Sequence, residues 1–123
     1  MPVLRADDRN FDELPGRRSA DPLPPGLEDA AEVSVRVVDV LPGPRTPHRH
    51  PHSCEVIYVA HGEGRVWEGD ESSPVTAGDV VVIEQGVPHA TVCTSADGIR
   101  LICFFPRADL AGNTEELDGP VRE

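Results

Sequence analysis

The sequence predicts an all-β protein built as a sandwich or a barrel. Short apolar runs recur along the chain, and Gly and Pro turn signals lie between them. No stretch has the 3.6-residue period that a long helix requires. With 123 residues, of which 38% are hydrophobic, the chain can bury one core but not two. We therefore expect a single β domain.

The first segment, residues 1–31, is predicted to be an irregular N-terminal arm. It is rich in Pro, Asp and Arg, and Pro22, Pro24 and Pro25 lie close together. Such closely spaced prolines interrupt both helical and strand periods. We expect no regular secondary structure in this arm.

The barrel is predicted over residues 32–106. It opens with Val33, Val35 and Val37, which alternate with other residues at the two-residue period of a half-buried strand. Further strands are predicted at about 45–50, 55–61, 64–69, 79–83, 88–94 and 99–105. The acidic remainder, residues 107–123, is predicted to be a C-terminal tail that lies along the barrel.

The charge balance argues against nucleic acid and membrane partners. The chain has 22 acidic and 11 basic residues and a formal net charge of -11, which repels phosphate backbones and anionic lipid alike. Every basic residue is Arg, so the Lys of Schiff-base chemistry and of P-loops is missing. No Ser lies in a G-x-S-x-G elbow. The groups left for chemistry are His, carboxylate, Cys and Arg.

The cysteines and the apolar runs predict a cytoplasmic protein with reduced thiols. Cys54, Cys93 and Cys103 are odd in number and contain no C-x-x-C pair, which argues against a disulfide framework and a thiolate zinc site. The first thirty residues carry charges throughout and the apolar runs are short. We therefore expect neither a signal peptide nor a membrane span.

Four of the five histidines lie within fourteen residues, and their spacing is typical of metal ligands. His48 and His50 are two residues apart, so a strand presents both imidazoles on one face. Glu55 would face the other way in an unbroken strand, but Pro51 invites a turn that returns it to the inner face. His89 comes from a separate segment. Together they would give an ion four ligands, although histidines on the surface or in hydrogen bonds are the alternative.

Both segments resemble the two conserved motifs of the cupin superfamily. The first motif, G-x5-H-x-H-x3-4-E-x6-G, is matched at Gly43, His48, His50, Glu55 and Gly62. The second motif, G-x5-P-x-G-x2-H-x3-N, is matched at Gly78, Gly86 and His89. The departures are a spacer after Gly43 that is one residue short, and Glu84 and Cys93 in place of Pro and Asn. The resemblance covers about residues 33–106 and implies a small single-domain cupin, with one barrel of the double-stranded β-helix or jelly-roll type.

The resemblance also implies a metal cofactor. The family's set of three His and one Glu falls on His48, His50, Glu55 and His89, which implies one divalent ion per chain. Iron, manganese, nickel, cobalt, copper and zinc serve similar cupins. The absence of a thiolate from this set favours Fe(II) or Mn(II) over Zn(II).

Other residues are predicted less directly. His52 would lie on the same strand face as His48 and His50, but Pro51 intervenes, so we favour a position away from the metal. His61 is expected to be exposed. Alternation sends Thr91 and Cys93 to the face of His89, where they could line the pocket. For Cys93 we favour a buried inert thiol over a residue of the pocket wall.

The strand arginines and the single tyrosine have two interpretations each. Arg36, Arg65 and Arg100 are each expected to be solvated, since a buried arginine without a partner is costly. An inward arginine would instead clamp a substrate carboxylate. With Glu55 facing inward, Tyr58 is predicted on the outer face or in a subunit contact.

The leading functional hypothesis is a metal-dependent cupin enzyme that acts on a small organic substrate. Within it we favour a mononuclear non-heme metal dioxygenase or oxidoreductase, with a non-redox lyase, isomerase, cyclase or decarboxylase as the alternative. A non-catalytic ligand-binding cupin is the second hypothesis, and a structural protein with adventitious metal is the third. We also expect a homodimer in which part of residues 1–31 crosses onto the partner.

Overall fold

The computed structural model describes residues 2–123, which form two antiparallel sheets that enclose the core. Its strands are β1 (Phe11–Leu14), β2 (Arg17–Ala20), β3 (Ser34–Val40), β4 (His48–Arg49), β5 (Glu55–His61), β6 (Glu63–Glu68), β7 (Glu71–Thr76), β8 (Val80–Ile83), β9 (His89–Cys93), β10 (Ile99–Phe105) and β11 (Glu115–Glu116). The described residues also contain one α-helix, α1 (Pro25–Ala31), and 3-10 turns at Ala6–Asp8 and Ala111–Asn113.

The strands are arranged as a jelly roll. The larger sheet has the order β1-β2-β3-β10-β5-β8, and the smaller sheet has the order β11-β4-β9-β6-β7. Hairpins such as β1–β2 and β6–β7 alternate in the sheets with pairs of strands that are far apart in sequence, as in β3 beside β10 and β4 beside β9. The prediction of an all-β jelly-roll barrel is therefore confirmed.

The core lies between the two sheets and is built from alternate residues of each strand. On β10, Leu101, Cys103 and Phe105 face inward, while Ile102 and Phe104 face outward. On β5, Ile57 and Val59 face inward. This two-residue period is the pattern from which the strands were predicted.

A tight turn at Gly62 joins β5 to β6. Its φ is 88°, in the left-handed region that favours glycine. The carbonyl of Gly98 lies so close that a Cβ on residue 62 would collide with it. The glycine of the first motif is thus fixed by the packing of two turns.

The N-terminal arm is more regular than the sequence predicts. Strands β1 and β2 form a hairpin, and β2 pairs with β3 of the same chain through Arg17↔Val40 to Ala20↔Val37. The prolines follow this hairpin rather than interrupting it, and Pro25 occupies the first turn of α1, where a missing N–H is tolerated. Exchange of this arm with a second copy stays a prediction.

Strand β7 was also missing from the predicted strands. It contains Pro74, and of its six residues only Val75 is buried. It lies at the edge of the smaller sheet, where proline and polar side chains are tolerated. No helix among residues 2–123 is long and apolar enough to cross a membrane.

The C-terminal tail lies along the barrel and joins the smaller sheet. Glu115 and Glu116 pair with Arg49 and His48 of β4, and Arg45 and Arg122 exchange two backbone hydrogen bonds of 2.9 and 2.8 Å. The last residues of the chain therefore lie beside the strand that carries the histidine pair.

Candidate metal centre

His48 is the first residue of β4 in the smaller sheet, and His50 follows the last residue of that strand. His48 pairs directly with His89 of β9 across the ladder, which brings two distant segments together. The ring centroids of His48 and His89 are 4.5 Å apart, and those of His50 and His89 are 5.2 Å apart. Three imidazoles therefore converge on one point inside the barrel.

Glu55 reaches the same point from the opposite sheet. Residues 51–54 form a turn that carries the chain from β4 to β5, so Glu55 is the first residue of a strand in the larger sheet. It faces inward because of this crossing, which the turn at Pro51 begins. His89 Nε2 lies 2.9 Å from Glu55 Oε1, and His50 Nε2 lies 3.3 Å from the same oxygen.

The four residues that the motifs indicated thus form one cluster. One potential ligand atom from each of His48, His50, Glu55 and His89 lies within 4.8 Å of the others. His50, Glu55 and His89 are each at most 5% exposed. Among residues 2–123, this is the group of His, Cys, Asp and Glu side chains whose geometry could hold a metal ion.

The hydrogen bonds of His89 show that a cation fits this cluster. Its Nδ1 lies 2.9 Å from the carbonyl oxygen of Val87, and its Nε2 lies 2.9 Å from Glu55. A neutral imidazole has only one N–H, so it cannot donate to both acceptors. A divalent ion held by Nε2 and the carboxylate would replace the missing proton, while Nδ1–H donates to the carbonyl.

His50 and His48 support the same conclusion. His50 Nδ1 lies 2.9 Å from the backbone carbonyl of Asn113, which leaves Nε2 with its lone pair turned toward the cluster. Both this Nε2 and His48 Nδ1 are buried, and neither has a hydrogen-bond partner in the part of the chain that is described. A buried nitrogen without a hydrogen-bond partner destabilises the fold. A metal ion bound to one of these nitrogens would supply the missing partner.

The electrostatics keep the carboxylate ionised and His48 neutral. Burial raises the pKa of Glu55, but the two imidazoles that face its carboxylate outweigh burial and hold that pKa well below its usual value. Burial, and then the neighbouring His89, lower the pKa of His48 well below its usual value. An ionised carboxylate and neutral imidazoles are the protonation states that metal binding requires.

Asn113, in the C-terminal tail, positions the turn that follows His50. This role was not predicted from the sequence. Asn113 is fully buried, and its side-chain amide bridges two residues of the turn after His50. Its Oδ1 accepts the backbone N–H of His52 at 2.7 Å, and its Nδ2 donates to Ser53 Oγ at 2.8 Å. No motif in the sequence marks Asn113, which is about sixty residues away from this turn.

A cavity of about 380 Å³ opens onto the four-residue cluster. The larger sheet forms one wall through Ile57 and Leu101, and the tail forms another through Leu110 and Thr114. The β1–β2 hairpin contributes to its lining through Asp12, Leu14, Arg17 and Ser19. Both termini therefore help to enclose the cavity.

Two arginines that the sequence analysis did not single out line this cavity. Arg45 is 5% exposed and Arg17 is 7% exposed. Of the three strand arginines considered from sequence, Arg36 also lines the cavity, but it is paired with Asp21 and Glu28.

The other two strand arginines bond elsewhere. Arg65 donates to Ser72 Oγ at 2.8 Å, and Arg100 forms two hydrogen bonds with Asp39. Neither is among the residues that line the cavity.

One guanidinium nitrogen of Arg45 is hydrogen-bonded, and the other two have no hydrogen-bond partner in the described chain. Its Nη1 donates to the backbone carbonyl of Thr91 at 3.0 Å, whereas Nε and Nη2 are buried without a partner in the described chain. Burial, and then the nearby Arg17, lower the pKa of Arg45 to about 10, so it stays a cation at neutral pH. Arg17 is neutralised by Glu116, at 2.7 Å.

The thiol that lines the cavity is Cys103 rather than Cys93. Thr91 lies in the cavity wall, and Cys93 faces inward with it, as the alternation predicts. Cys93 lies farther along β9, however, where it belongs to the apolar core and its Sγ donates to the carbonyl of Ser95. Burial, helped by the neighbouring Glu55, raises the pKa of Cys103 well above its usual value.

The remaining histidines lie outside the cluster. The backbone of His52 bonds to Asn113, but its ring is not among the four grouped side chains. His61 is exposed at the end of β5, where its ring lies 3.9 Å from Asp97.

A comparison with known protein families matches the part of the chain that contains both motifs. The sequence model of one family, described as the cupin domain, matches residues 36–105. Protein SchB from Streptomyces halstedii is 34% identical over 119 residues, a match that covers 88% of this chain and 86% of that protein.

Solved structures share the fold. Bacillus subtilis oxalate decarboxylase, in a structure used to study its Mn(II) centres, superposes with a TM-score of 0.75 at 18% identity, covering 92% of this chain. The chain spans about a third of such oxalate decarboxylase chains. KdgF from Halomonas sp. has a TM-score of 0.72 at 18% identity, covering 90% of this chain and 98% of that one. At these identities, the likeness concerns the fold alone.

Proposed function

Since the chain belongs to the cupin domain family, we propose that it is a metal-dependent enzyme that acts on a small anionic organic substrate. The observation that carries this proposal is Arg45, a residue of the cavity wall whose Nε and Nη2 are buried without a partner in the described chain. A buried cation without an anionic partner is costly, so its environment favours an anionic ligand.

His48, His50, Glu55 and His89 would hold one divalent ion. When bound, the ion would act as a Lewis acid or as a redox centre toward an oxygen of the substrate. Three imidazoles and one carboxylate suit Fe(II) or Mn(II), and Mn(II) is the ion of the oxalate decarboxylase with the similar fold. Ni, Co, Cu and Zn also accept these ligands.

Arg45 would orient the substrate by its anionic group. Its Nη1 is fixed on the carbonyl of Thr91, so the free Nε and Nη2 present a planar pair of donors. Such a pair matches the two oxygens of a carboxylate and forms charge-assisted hydrogen bonds. We therefore favour carboxylates over neutral alcohols and amides.

The cavity limits the substrate to a small molecule. Its volume of about 380 Å³ lies at the lower end of the usual range for ligand sites, roughly 300–1,000 Å³. Gly16, at the tip of the β1–β2 hairpin, packs against the Arg45 side chain. The hairpin and the C-terminal tail would thus exclude water around the anionic group, which strengthens its attraction to Arg45.

For the reaction type, we favour a redox-neutral conversion such as decarboxylation, isomerisation, cyclisation or lyase chemistry. The Cys103 thiol lies in the cavity wall, and a site that handles dioxygen exposes such a thiol to oxidation. Oxalate decarboxylase, with the similar fold, is by name a decarboxylase.

Dioxygenation is the second candidate. Four protein ligands leave two positions on a six-coordinate ion, enough for a substrate and dioxygen together. Because its pKa is raised, Cys103 also stays protonated, and a thiol is less reactive than the thiolate.

The test is turnover by the reloaded protein. Chelated chain is loaded separately with Fe(II), Mn(II) and Zn(II), and incubated with small carboxylic acids, phenols and thiols, with and without dioxygen. Activity with Zn(II) under anaerobic conditions supports the redox-neutral proposal, whereas a requirement for both Fe(II) and dioxygen supports dioxygenation. Saturable binding of a panel acid without turnover with any metal would indicate a non-catalytic binding protein.

Arg45→Met tests the substrate class. Removal of a charge-assisted hydrogen bond costs about 1.5–3 kcal/mol, which corresponds to a rise of 10- to 150-fold in the KM for an acid. Arg65→Met, at an arginine outside the cavity, is the matched control. Equal turnover of acids and of their neutral amides by the unaltered enzyme would contradict the anionic substrate.

A further inference from the structure

Arg17 and Glu116 form an ion pair in the wall of the cavity, where the N-terminal hairpin meets the C-terminal tail. Arg17 Nη2 lies 2.7 Å from Glu116 Oε1. The Arg17 side chain is 8% exposed and the Glu116 side chain is 40% exposed. The carboxylate is therefore the member of the pair that lies nearer to solvent.

Both members of this pair are fixed by their surroundings. Arg17 belongs to β2, which pairs with β1 and β3, and its Nη1 donates to the carbonyl oxygen of Pro15 at 3.1 Å. Glu116 pairs with His48 of β4, and the next residue of the tail donates its N–H to the carbonyl oxygen of Pro47 at 3.0 Å. The backbone on both sides thus holds the Glu116 carboxylate beside Arg17.

The ion pairs in the cavity wall leave one arginine without a carboxylate partner in the described chain. Three arginines line the cavity: Arg17, Arg36 and Arg45. Arg17 is paired with Glu116, and Arg36 is paired with two carboxylates. After burial, Arg17 is the largest cause of the lowered pKa of Arg45, so the two guanidinium groups lie near each other. Glu116 therefore neutralises the cation that would otherwise give Arg45 a second positive charge beside it.

We propose that Glu116 is a specificity-determining residue, which occupies Arg17 and so restricts the arginine side of the cavity to a substrate with a single carboxylate. This inference rests on the proposed function, in which that carboxylate binds Arg45.

A second carboxylate would reach Arg17 only by displacing Glu116. This exchange replaces one carboxylate with another and gains no hydrogen bond, while the internal carboxylate competes at the high effective concentration of a group held in the same chain. If Glu116 stays in place, the second carboxylate lies against a like charge, and Asp12 adds a further negative charge to the same lining. Such repulsion is strong where the protein excludes water. In either case the second carboxylate brings no gain in affinity.

The restriction concerns the arginine side of the cavity alone. At the four-residue cluster, a metal ion would accept an oxygen from the rest of the substrate, whether that oxygen is charged or neutral. A bound ion would therefore hold the second carboxylate of a diacid and hide the effect of Glu116. The test has to be made without metal.

The test is the binding of simple acids by the full chain, freed of metal with a chelator that is then removed by dialysis. The probes are three matched pairs: propionate and malonate, butyrate and succinate, and valerate and glutarate. In each pair the second acid carries a carboxylate where the first carries a methyl group. Isothermal titration calorimetry should show that the wild-type chain binds the two acids of each pair with similar affinity.

Glu116→Ala should create a preference for the dicarboxylate. The second carboxylate then forms the charge-assisted hydrogen bond with Arg17, so the ratio of the monocarboxylate Kd to the dicarboxylate Kd should rise about 10- to 150-fold for at least one pair. Glu115→Ala is the matched control, since it changes the net charge equally at the neighbouring position. The Glu115 carboxylate pairs with Arg49 and does not line the cavity, so this variant should leave the ratio unchanged.

A milder variant guards against a loss of folding. Glu116→Gln removes the charge but keeps the side-chain size and an acceptor for Arg17, so it should raise the ratio less than Glu116→Ala does, while circular dichroism stays unchanged. An unchanged ratio in both Glu116 variants would overturn the inference. So would a wild-type chain that binds the dicarboxylates about tenfold or more tightly than their partners, since Glu116 would then be displaced with ease.

The proposed function has a separate outcome in the same experiment. It requires Arg45→Met to lose most of its affinity for every probe, because each acid binds through Arg45. Retained binding in Arg45→Met would contradict the proposed function, whatever the ratio in the Glu116 variants.

Discussion

The backbone carbonyl of Asn113 accepts the Nδ1–H of His50 at 2.9 Å. The C-terminal tail thereby fixes the ring of a residue that the first motif places in the candidate metal centre. Outer partners of this kind fix the tautomer and orientation of ligating histidines. The tail is thus part of the site rather than an appendage to the barrel.

Asn113→Ala should weaken metal binding without removing a ligand. The change leaves the His52 N–H without its acceptor and removes the hydrogen bond that Ser53 Oγ accepts, at a cost of about 1–3 kcal/mol in the free energy of unfolding. The backbone carbonyl that holds His50 remains in this variant, so the loosened turn should lower metal affinity by less than the roughly 10- to 100-fold that follows loss of such a partner. Competition with a chelator measures the affinity, and Asn10→Ala, at an exposed position, is the control.

His50→Ala should abolish most metal binding while the fold persists. It removes one of the four clustered donors, so the loss should exceed the 100-fold that outer partners produce. Metal analysis of the reloaded protein should give about one ion per wild-type chain and little in the variant. His61→Ala, at an exposed ring, should leave the metal content unchanged. Normal occupancy in His50→Ala would mean that the ligands have been assigned wrongly.

Metal should also stabilise the fold through the same cluster. A ligand that binds only the native state contributes about 2.7 kcal/mol at a free concentration of 100 times its Kd. For a domain of this size we expect a rise in Tm of about 10 °C. Thermal unfolding with added metal and with chelator measures the shift, and His50→Ala should show almost none. An equal rise in both proteins would indicate binding elsewhere.

The four clustered residues could be predicted from sequence because their spacing is local. His48 and His50 are separated by one residue, and the motif fixes Glu55 and His89 at short distances from turn glycines. These spacings can be recognised in the sequence without knowing how the strands pair. The family resemblance added the expectation that the two segments meet.

The rest of the site depends on contacts that sequence spacing does not encode. Arg17 belongs to the arm predicted to be irregular, yet β2 aligns it with Val40 and turns it into the cavity. Arg45 lies between prolines in a segment without a period. Asn113 reaches His50 across sixty-three residues. Cys103 replaces Cys93 in the cavity wall because alternation predicts which face a residue occupies and not its depth.

The ion pairs of Asp39 should make stability depend on pH in the acid range. Hydrogen bonds from Arg100 outweigh burial and, with those from Arg18, lower the pKa of Asp39 below its ordinary value of 3.8. Since the unfolded chain binds the proton more tightly, this stabilisation is present above pH 3.8 and is lost as the pH falls through the folded pKa.

Asp39→Asn should therefore lower the free energy of unfolding by about 1 kcal/mol at pH 7, and by less in high salt because the arginines are partly exposed. Urea unfolding at pH 7, 5 and 3 gives the comparison. The difference from wild type should shrink at pH 3. Asp7→Asn, at an exposed residue, should have little effect at any pH.

The three thiols should differ in reactivity because they differ in burial. Cys54 is half-buried, whereas Cys93 and Cys103 are buried, and burial together with Glu55 raises the pKa of Cys103. Since the thiolate is the reactive form, iodoacetamide at pH 8 should label Cys54 first in the native protein, with all three labelled after denaturation. Mass spectrometry of the digested protein identifies the sites. Rapid labelling of Cys103 in the native chain would show that its thiol ionises readily, and that a dioxygen-handling site would put it at risk.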